Sequence, residues 1–503
     1  MSQISVNNLT FSYENSSNLV FDRVSFCVDT SWRLGFCGRN GRGKTTLLKL
    51  LMGKYEYSGT INSNIEFDYF PQEVANANYL VQDVLEELAP NAEAWQLKKE
   101  LKLLNVDDDI LYSVFSTLSF GEQTKVKLVA LFCSGDKFLL IDEPTNHLDA
   151  IGRKTVANYL KSKSGFILVS HDRVFLDNCV DHILSINRND ISITKGNFST
   201  WWQEKERQDN FELATNYKLI KEIDRLDLAA KRTADWANKA ENKKIGIDPN
   251  KIDNKMGHRA NMSAKSKKMM AQTKAIEGRI DSTITQKQSL LKNIERTDTL
   301  KLLPLAYNKN TLAEFRDISV SFGDKRVLSS FNLCIASGER IAIAGGNGSG
   351  KSTILKLLAQ HCASSNISPI AHTGLIIIGK GLKISYVSQD TSILAGSLSD
   401  FATKEKIDET LFKTILAKLN FSKSALSNQI QDFSQGQKKK VLLATSLSRP
   451  AHLYIWDEPL NYIDLISRIQ IENLITTYAP TMLFVEHDEA FSKNVATRVL
   501  ELE

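Results

Sequence analysis

Two short apolar runs in this chain each end on paired acids. Phe138, Leu139, Leu140 and Ile141 precede Asp142 and Glu143, and Leu453, Tyr454, Ile455 and Trp456 precede Asp457 and Glu458. An unbroken apolar run of this length predicts a strand buried on both faces. RLGFC (33–37) and RIAIA (340–344) predict strands in the same way, and after a glycine-rich stretch come TLLKLLMG (46–53) and TILKLLAQ (353–360), which predict helices. The middle of the chain is different. Residues 202–243 hold no Pro or Gly and are rich in Glu, Lys, Leu and Ala, residues 263–296 are similar with one Gly, and Gly246, Pro249 and Gly257 interrupt the pattern between them. This predicts an antiparallel helical hairpin whose ~40-residue arms would span roughly 60 Å. Its tip, 245–262, reads IGIDPNKIDNKMGHRANM, with apolar and basic residues mixed without amphipathic order.

The flanking parts are copies of each other. GRNGRGKTT (38–46) returns as GGNGSGKST (345–353), and LSFGEQ (118–123) returns as FSQGQK (433–438). DEPTNHLDA (142–150) returns as DEPLNYIDL (457–465), Gln72 as Gln389, and SHD (170–172) as EHD (486–488). Second copies lie 307 to 317 residues downstream, with about ten extra residues between Lys351 and Gln389. The expected fold class is therefore α/β: two P-loop nucleotide-binding domains, 1–200 and 304–503, joined by a helical hairpin linker over 201–303.

Composition narrows the setting. Of the 503 residues, 42% are apolar and 24% charged, as in an ordinary globular protein of two to four domains. The six cysteines, at 27, 37, 133, 179, 334 and 362, show no CxxC spacing, which suits reduced thiols in a cytosol better than a disulfide framework or zinc site. MSQISVNN has no secretory n-region, and no apolar run approaches the ~20 residues of a membrane helix. The expectation is a cytoplasmic protein. The net charge is +5, and residues 201–300 alone hold 21 Lys+Arg against 15 Asp+Glu. Within them 255–279 carries seven basic residues and one acid, a pattern that fits a phosphate-rich partner or, equally, a solvated helix face.

The motifs then carry chemistry. GxxxxGK[ST] between a strand and a helix is a P-loop: glycines let main-chain N–H groups face a phosphate, and the helix N-terminus adds its positive end. Lys44 and Lys351 would reach the β/γ-phosphates of ATP, and Thr45 and Ser352 would hold Mg²⁺. Gly38, Asn40, Gly41, Gly43 and Thr46 complete the first loop, and Gly345, Asn347, Gly348, Gly350 and Thr353 the second. At the strand ends, Asp142 and Asp457 can bind the metal through water, and Glu143 and Glu458 can polarise an attacking water.

LSFGEQ resembles the signature of the ATP-binding cassette superfamily. The resemblance implies that Ser119 and Gly121 serve the P-loop of the other cassette across a head-to-tail interface, and Ser434 and Gly436 do so in return. Gln72 and Gln389 look like the family's Q-loop, counted with the Mg²⁺ site, and His171 and His487 look like its switch histidine at the γ-phosphate. Tyr13 and Phe322 stand where the family stacks an aromatic on adenine, with Phe11 a second candidate in the first half. NHLD after the first DEPT, TKGNFSTWWQEKE (194–206) and the long linker are similar to the F subfamily, and FSQGQKKKV and DEPLNYID to its Gram-positive antibiotic-resistance members, which oppose lincosamides, pleuromutilins and streptogramin A.

That resemblance implies a monomer with paired cassettes. It would bind the bacterial 70S ribosome at the tRNA exit site, with the linker tip toward the peptidyl-transferase centre and contacts to 23S rRNA of the 50S subunit and to P-site tRNA. Lys255, His258, Arg259, Lys265, Lys267 and Lys268 would approach RNA phosphates, and Ile247, Met256 and Met262 would press near the drug site. The alternatives are a housekeeping translation factor and an ATPase subunit of an exporter. The second copy departs from the family pattern: Leu460 replaces Thr145, Tyr462 replaces His147 and Gln435 stands where the signature has Gly. Two unequal ATP sites are expected.

Overall fold

The apolar runs do form central strands of parallel sheets. The structure, a computed structural model, describes residues 2–13, 19–146, 148–186, 191–245, 271, 274–276, 278–280, 282–283, 300–323, 325–346, 348–362, 370–422 and 425–502. The residues fall into two units, 1–201 with 297–503, and 202–296.

In the first unit a six-stranded sheet has the spatial order Phe67–Phe70, Phe138–Asp142, Phe166–Val169, Arg33–Cys37, His182–Ile186, Ile191–Lys195. Its neighbours are parallel except the last pair. A five-stranded sheet repeats this order as Ile384–Val387, Leu453–Asp457, Met482–Val485, Arg340–Gly345, Arg498–Leu502, all parallel. Helices on both faces bury the strands, so the inner strands need no alternation of apolar and polar positions. Phe138 to Ile141 and Leu453 to Trp456 are buried throughout. Each cassette adds a three-stranded antiparallel sheet: Gln3–Phe11 between Phe21–Asp29 and Ser58–Asn62, and Thr311–Phe322 between Lys325–Ala336 and Thr373–Ile378.

The P-loop helices lie under these sheets. Leu47, Leu48 and Leu51 of the helix Lys44–Leu51 pack with Phe36, Leu140 and Val169, and Ile354, Leu355 and Leu358 of the helix Lys351–Cys362 pack with Ile343, Ile455 and Val485. The second helix is four residues longer, 12 against 8, which absorbs part of the insertion; residues 363–369 lie outside the described ones.

Polar residues set where the functional helices begin. Ser119 caps Phe120–Cys133 and Ser434 caps Gln435–Ser448, each in a reciprocal capping box with Glu122 or Gln437. Asp149 and Asp464 cap the helices that follow the paired acids. Asp464 also accepts from Lys440 Nζ at 3.0 Å, with both side chains almost fully buried.

The helix Phe198–Ile245, 48 residues, has its first turn in the first unit and the rest in the second, and at 1.5 Å per residue is about 72 Å long. It is longer than the arm expected. The linker tip, and with it Ile247, Lys255, Met256, His258, Arg259, Met262, Lys265, Lys267 and Lys268, lies outside the described residues.

The Lys440–Asp464 pair yields a stability test. Burial opposes the Asp464 charge, but the Lys440 ammonium and the Ser467 N–H outweigh it and hold the carboxyl well below the usual range. A depressed folded-state pKa contributes stability that is full above the unfolded value of roughly 4 and is lost as pH falls toward the folded one. Lys440→Met, which strands the buried carboxylate, should cost about 3–5 kcal/mol. It should also flatten the acid limb of stability, as read by urea unfolding between roughly pH 2 and 5.

Candidate functional site: a cleft between paired cassettes

At each P-loop the backbone turns through left-handed glycines. Gly43 has φ 91° and Gly350 φ 93°, and a Cβ on either would come within 3 Å of Val20 or Val327. Only glycine therefore brings the loop this close to the antiparallel sheet. Lys44 Nζ donates to the Gly38 carbonyl at 2.7 Å, and Lys351 Nζ to those of Gly345 and Gly346 at 2.9 and 2.6 Å. Both lysines are buried, and burial lowers their pKa values against the pull of nearby carboxylates.

The first hydroxyl of each P-loop helix meets the acid at the end of the neighbouring strand. Thr45 Oγ1 donates to Asp142 Oδ2 at 2.8 Å, and Ser352 Oγ to Asp457 Oδ1 at 3.0 Å. Asp457 Oδ2 is buried without a hydrogen-bond partner. A hydroxyl and a carboxylate with spare oxygen capacity form a hard-donor set that fits Mg²⁺. Burial raises Asp142 and pushes Asp457 up to about 6.

The next residue is strained in both copies. Glu143 has φ 52° and Glu458 φ 48°. Non-glycine residues hold this conformation only where their surroundings impose it. Here the main-chain N–H of each is bonded to the adjacent strand, at Val169 O and Val485 O. The carboxylates then differ. Glu143 Oε1 has no hydrogen-bond partner and lies 3.4 Å from His171 Nε2. Burial, with the charge of Asp142, pushes Glu143 up to about 8. Burial, then Lys44 and Arg468, hold His171 well below the usual imidazole range. Glu458 is hydrogen-bonded by Gln389 Nε2 at 2.9 Å, Asn461 Nδ2 at 2.7 Å and His487 Nε2 at 3.2 Å. Burial opposes its charge as well, but His487, Lys439 and Lys351 outweigh that and lower its pKa.

Gln72 is not brought to the site as Gln389 is. Its Nε2 donates to Asp68 Oδ2 at 3.4 Å, and Oε1 is buried without a partner. The oxygen of Asp142 is engaged instead by Tyr69 OH at 3.1 Å. Sequence reasoning missed Tyr69, although Tyr386 stands at the same distance from Gln389 as Tyr69 from Gln72, so the repeat could have revealed it. At the adenine positions Phe11 is core, while Tyr13 is 43% exposed and donates to or accepts from Thr46 Oγ1 at 2.7 Å. Phe322 is 53% exposed at its strand end. Asn347 lies outside the described residues.

The two cassettes face each other head to tail. A cavity of about 1690 Å³ is lined by Lys44, Thr45 and Glu143 of the first and Ser434 and Gly436 of the second, and extends to Ser119, Gly121, Gln389, Glu458 and His487. Asn40 Nδ2 donates to the Tyr462 carbonyl at 2.8 Å, and Arg153 Nη1 to the His487 carbonyl at 3.1 Å. Arg173 pairs with Glu472, and Lys154 with Glu489 at 3.0 Å. Asp464 acts electrostatically on Lys44, and Asp149 on Lys351, so each P-loop lysine feels the helix-capping acid of the other cassette. The arrangement can hold a polyphosphate between a P-loop and a capped helix N-terminus, with a carboxylate beside it to orient water.

Gly436 is at the tightest point. A Cβ there would stand 2.6 Å from the Tyr462 carbonyl and 3.4 Å from Asn40 Nδ2. Both Gly436 and Tyr462 belong to the second cassette, so Gly436→Ala should push aside the Tyr462 carbonyl that receives Asn40 and thereby weaken pairing by about 1–3 kcal/mol. Steady-state ATP turnover should fall roughly 10- to 100-fold, while binding of a fluorescent ATP analogue to the separate P-loops changes little.

Comparison with known proteins agrees with this geometry. The family description "ABC transporter" matches residues 21–146 and 328–461. The ribosome protection protein VmlR of Bacillus subtilis is 28% identical over 95% of this chain and 83% of its own. The erythromycin resistance ATP-binding protein MsrA of Staphylococcus epidermidis is 29% identical over 93% and 92%. The archaeal ribosome recycling factor aABCE1, solved with the stalk protein aP1, shares the fold with a TM-score of 0.63 at 19% identity, over 98% of this chain and 87% of its own. The chain belongs to the ABC transporter family, as an ATP-hydrolysing tandem-cassette protein of its ABC-F group.

Proposed function

We propose that this chain is a ribosome-acting ATPase that protects the peptidyl-transferase centre from antibiotics. It binds the bacterial 70S ribosome at the tRNA exit site when its composite sites hold ATP, and directs its linker along P-site tRNA toward 23S rRNA. The observation that carries this reading is the combination of head-to-tail cassettes with a 48-residue helix arising from the first of them. Among the described residues no helix is long and apolar enough to cross a membrane. Similarity to VmlR, a ribosome protection protein, and to MsrA, an erythromycin resistance ATP-binding protein, supports the same direction.

In this reading Lys44 and Lys351 bind the phosphates, and Ser434 with Gly436, or Ser119 with Gly121, receives the γ-phosphate from across the interface. Thr45 with Asp142, and Ser352 with Asp457, hold Mg²⁺, which when bound neutralises phosphate charge. Glu143 and Glu458 orient water, and His171 and His487 stand between these carboxylates and the phosphate. The basic linker residues contact RNA, so affinity falls as salt rises.

The test is sedimentation of the Glu143→Gln, Glu458→Gln double variant with bacterial 70S ribosomes. It should pellet with ribosomes only when ATP is present, because the paired, ATP-bound state is trapped. Absence from the pellet with ATP binding intact would favour an exporter subunit instead. The two sites should also turn over unequally. Gln435 stands where the first signature has Phe120, and it accepts from Thr391 Oγ1 at 3.0 Å beside the second signature. Single-turnover rates of Glu143→Gln and Glu458→Gln should differ by more than about threefold, and equal rates would count against unequal sites.

A further inference from the structure

The cassettes hold the segment after their paired carboxylates by different means. In the first, Thr145 Oγ1 and Ser170 Oγ lie 3.3 Å apart, both buried. In the second, the matching positions are Leu460 and Glu486. Leu460 is fully buried and has no hydroxyl, and its main-chain N–H donates to Glu486 Oε1 at 2.8 Å. A neutral side-chain pair has been replaced by a carboxyl oxygen accepting from a backbone amide.

Where that amide sits gives the replacement its meaning. Two residues before it is Glu458 at φ 48°, and two residues after it is Tyr462 at φ 64°. Both are non-glycine residues in a left-handed conformation, so the turn needs an external hold at its centre. Its two ends serve different sites. Glu458 belongs with Lys351 and Ser352 of its own cassette, while the Tyr462 carbonyl receives Asn40 of the other cassette's P-loop. Glu486 also directly precedes His487, whose ring meets Glu458. The end of one strand thus grips the turn at two points, through the imidazole at Glu458 and through the carboxylate at Leu460.

We propose that Glu486 is a positioning residue of the second cassette, which fixes the 458–462 turn through the Leu460 amide and so aims Glu458, taking over the task of the Thr145–Ser170 pair. It acts through Glu458 and need not touch nucleotide. The inference rests on the ATPase activity alone and is independent of the ribosome.

The test uses the full chain in a Glu143→Gln background, where single-turnover hydrolysis reports the Glu458 site. Glu486→Ala should lower that rate on the order of 10- to 100-fold, with ATP affinity changed less than about twofold. Glu486→Gln keeps an oxygen acceptor for the Leu460 amide and should stay within about threefold of its parent. The double variant Leu460→Thr, Glu486→Ser installs the first cassette's pair and should recover most of the rate lost in Glu486→Ala; it also serves if the alanine variant does not fold. An undiminished rate in Glu486→Ala would overturn the proposal. So would equal losses in the Gln and Ala variants, or a double variant no better than Glu486→Ala.

Discussion

Two carboxylates in succession at the end of a buried strand are the constraint on which each cassette depends. Charge in such a place is costly unless it is bonded and paired. The surroundings of Asp142–Glu143 and Asp457–Glu458 therefore consist largely of groups that offset that cost. A helix-first hydroxyl bonds each aspartate, a P-loop lysine lies within electrostatic reach of each pair, and a histidine faces each glutamate. Offsetting is incomplete at Glu143, whose burial leaves it raised to about 8 with one oxygen unbonded. It is more than complete at Glu458, held by three side chains. The two carboxylates thus differ in environment even though their sequence neighbours Asp and Pro are the same.

The same constraint explains why the cassettes need each other. A P-loop and its strand-end acids supply cationic and metal-holding groups on one side of a phosphate. The opposite side is closed by the capped helix N-terminus of the other cassette, where main-chain N–H groups are available. Asn40 on the Tyr462 carbonyl and Arg153 on the His487 carbonyl are bonds from one cassette's nucleotide machinery to the other's. Side chains that bond to carbonyls in this way read backbone position, so a shift of either turn is felt across the cleft.

Much of this was legible because the relevant signals are local or repeated. The strands at 138–141 and 453–456 follow from apolar runs that only double-sided burial accommodates, and the serines of the signatures follow from capping-box spacing. Head-to-tail contact did not follow from pattern and entered through family resemblance, and strand order followed from neither. Gln72 shows where even the repeat misleads. Gln72 and Gln389 occupy equivalent positions, yet Asp68 draws the first away, and the second copy has Ile384-Ser385 where the first has Phe67-Asp68. The difference lies in one acid four residues earlier, which the repeat motifs do not include.

The departures in the second copy are better understood together than one by one. Thr145 to Leu460 removes a hydroxyl that meets Ser170 in the first cassette, and Ser170 to Glu486 adds a carboxyl group that bonds the Leu460 amide in the second. Taken jointly they exchange one way of fixing a strained turn for another. Leu460, freed of a polar atom, packs in the core with Trp456, Ile463 and Phe484. The turn in the second cassette is accordingly anchored by apolar packing on one side and by the Leu460 amide bond to Glu486 on the other. That mounting sits two residues from Glu458, which holds φ 48°. Three side-chain bonds at Glu458 and an unbonded oxygen at Glu143 thus give the two copies different surroundings for the same Asp-Glu-Pro sequence.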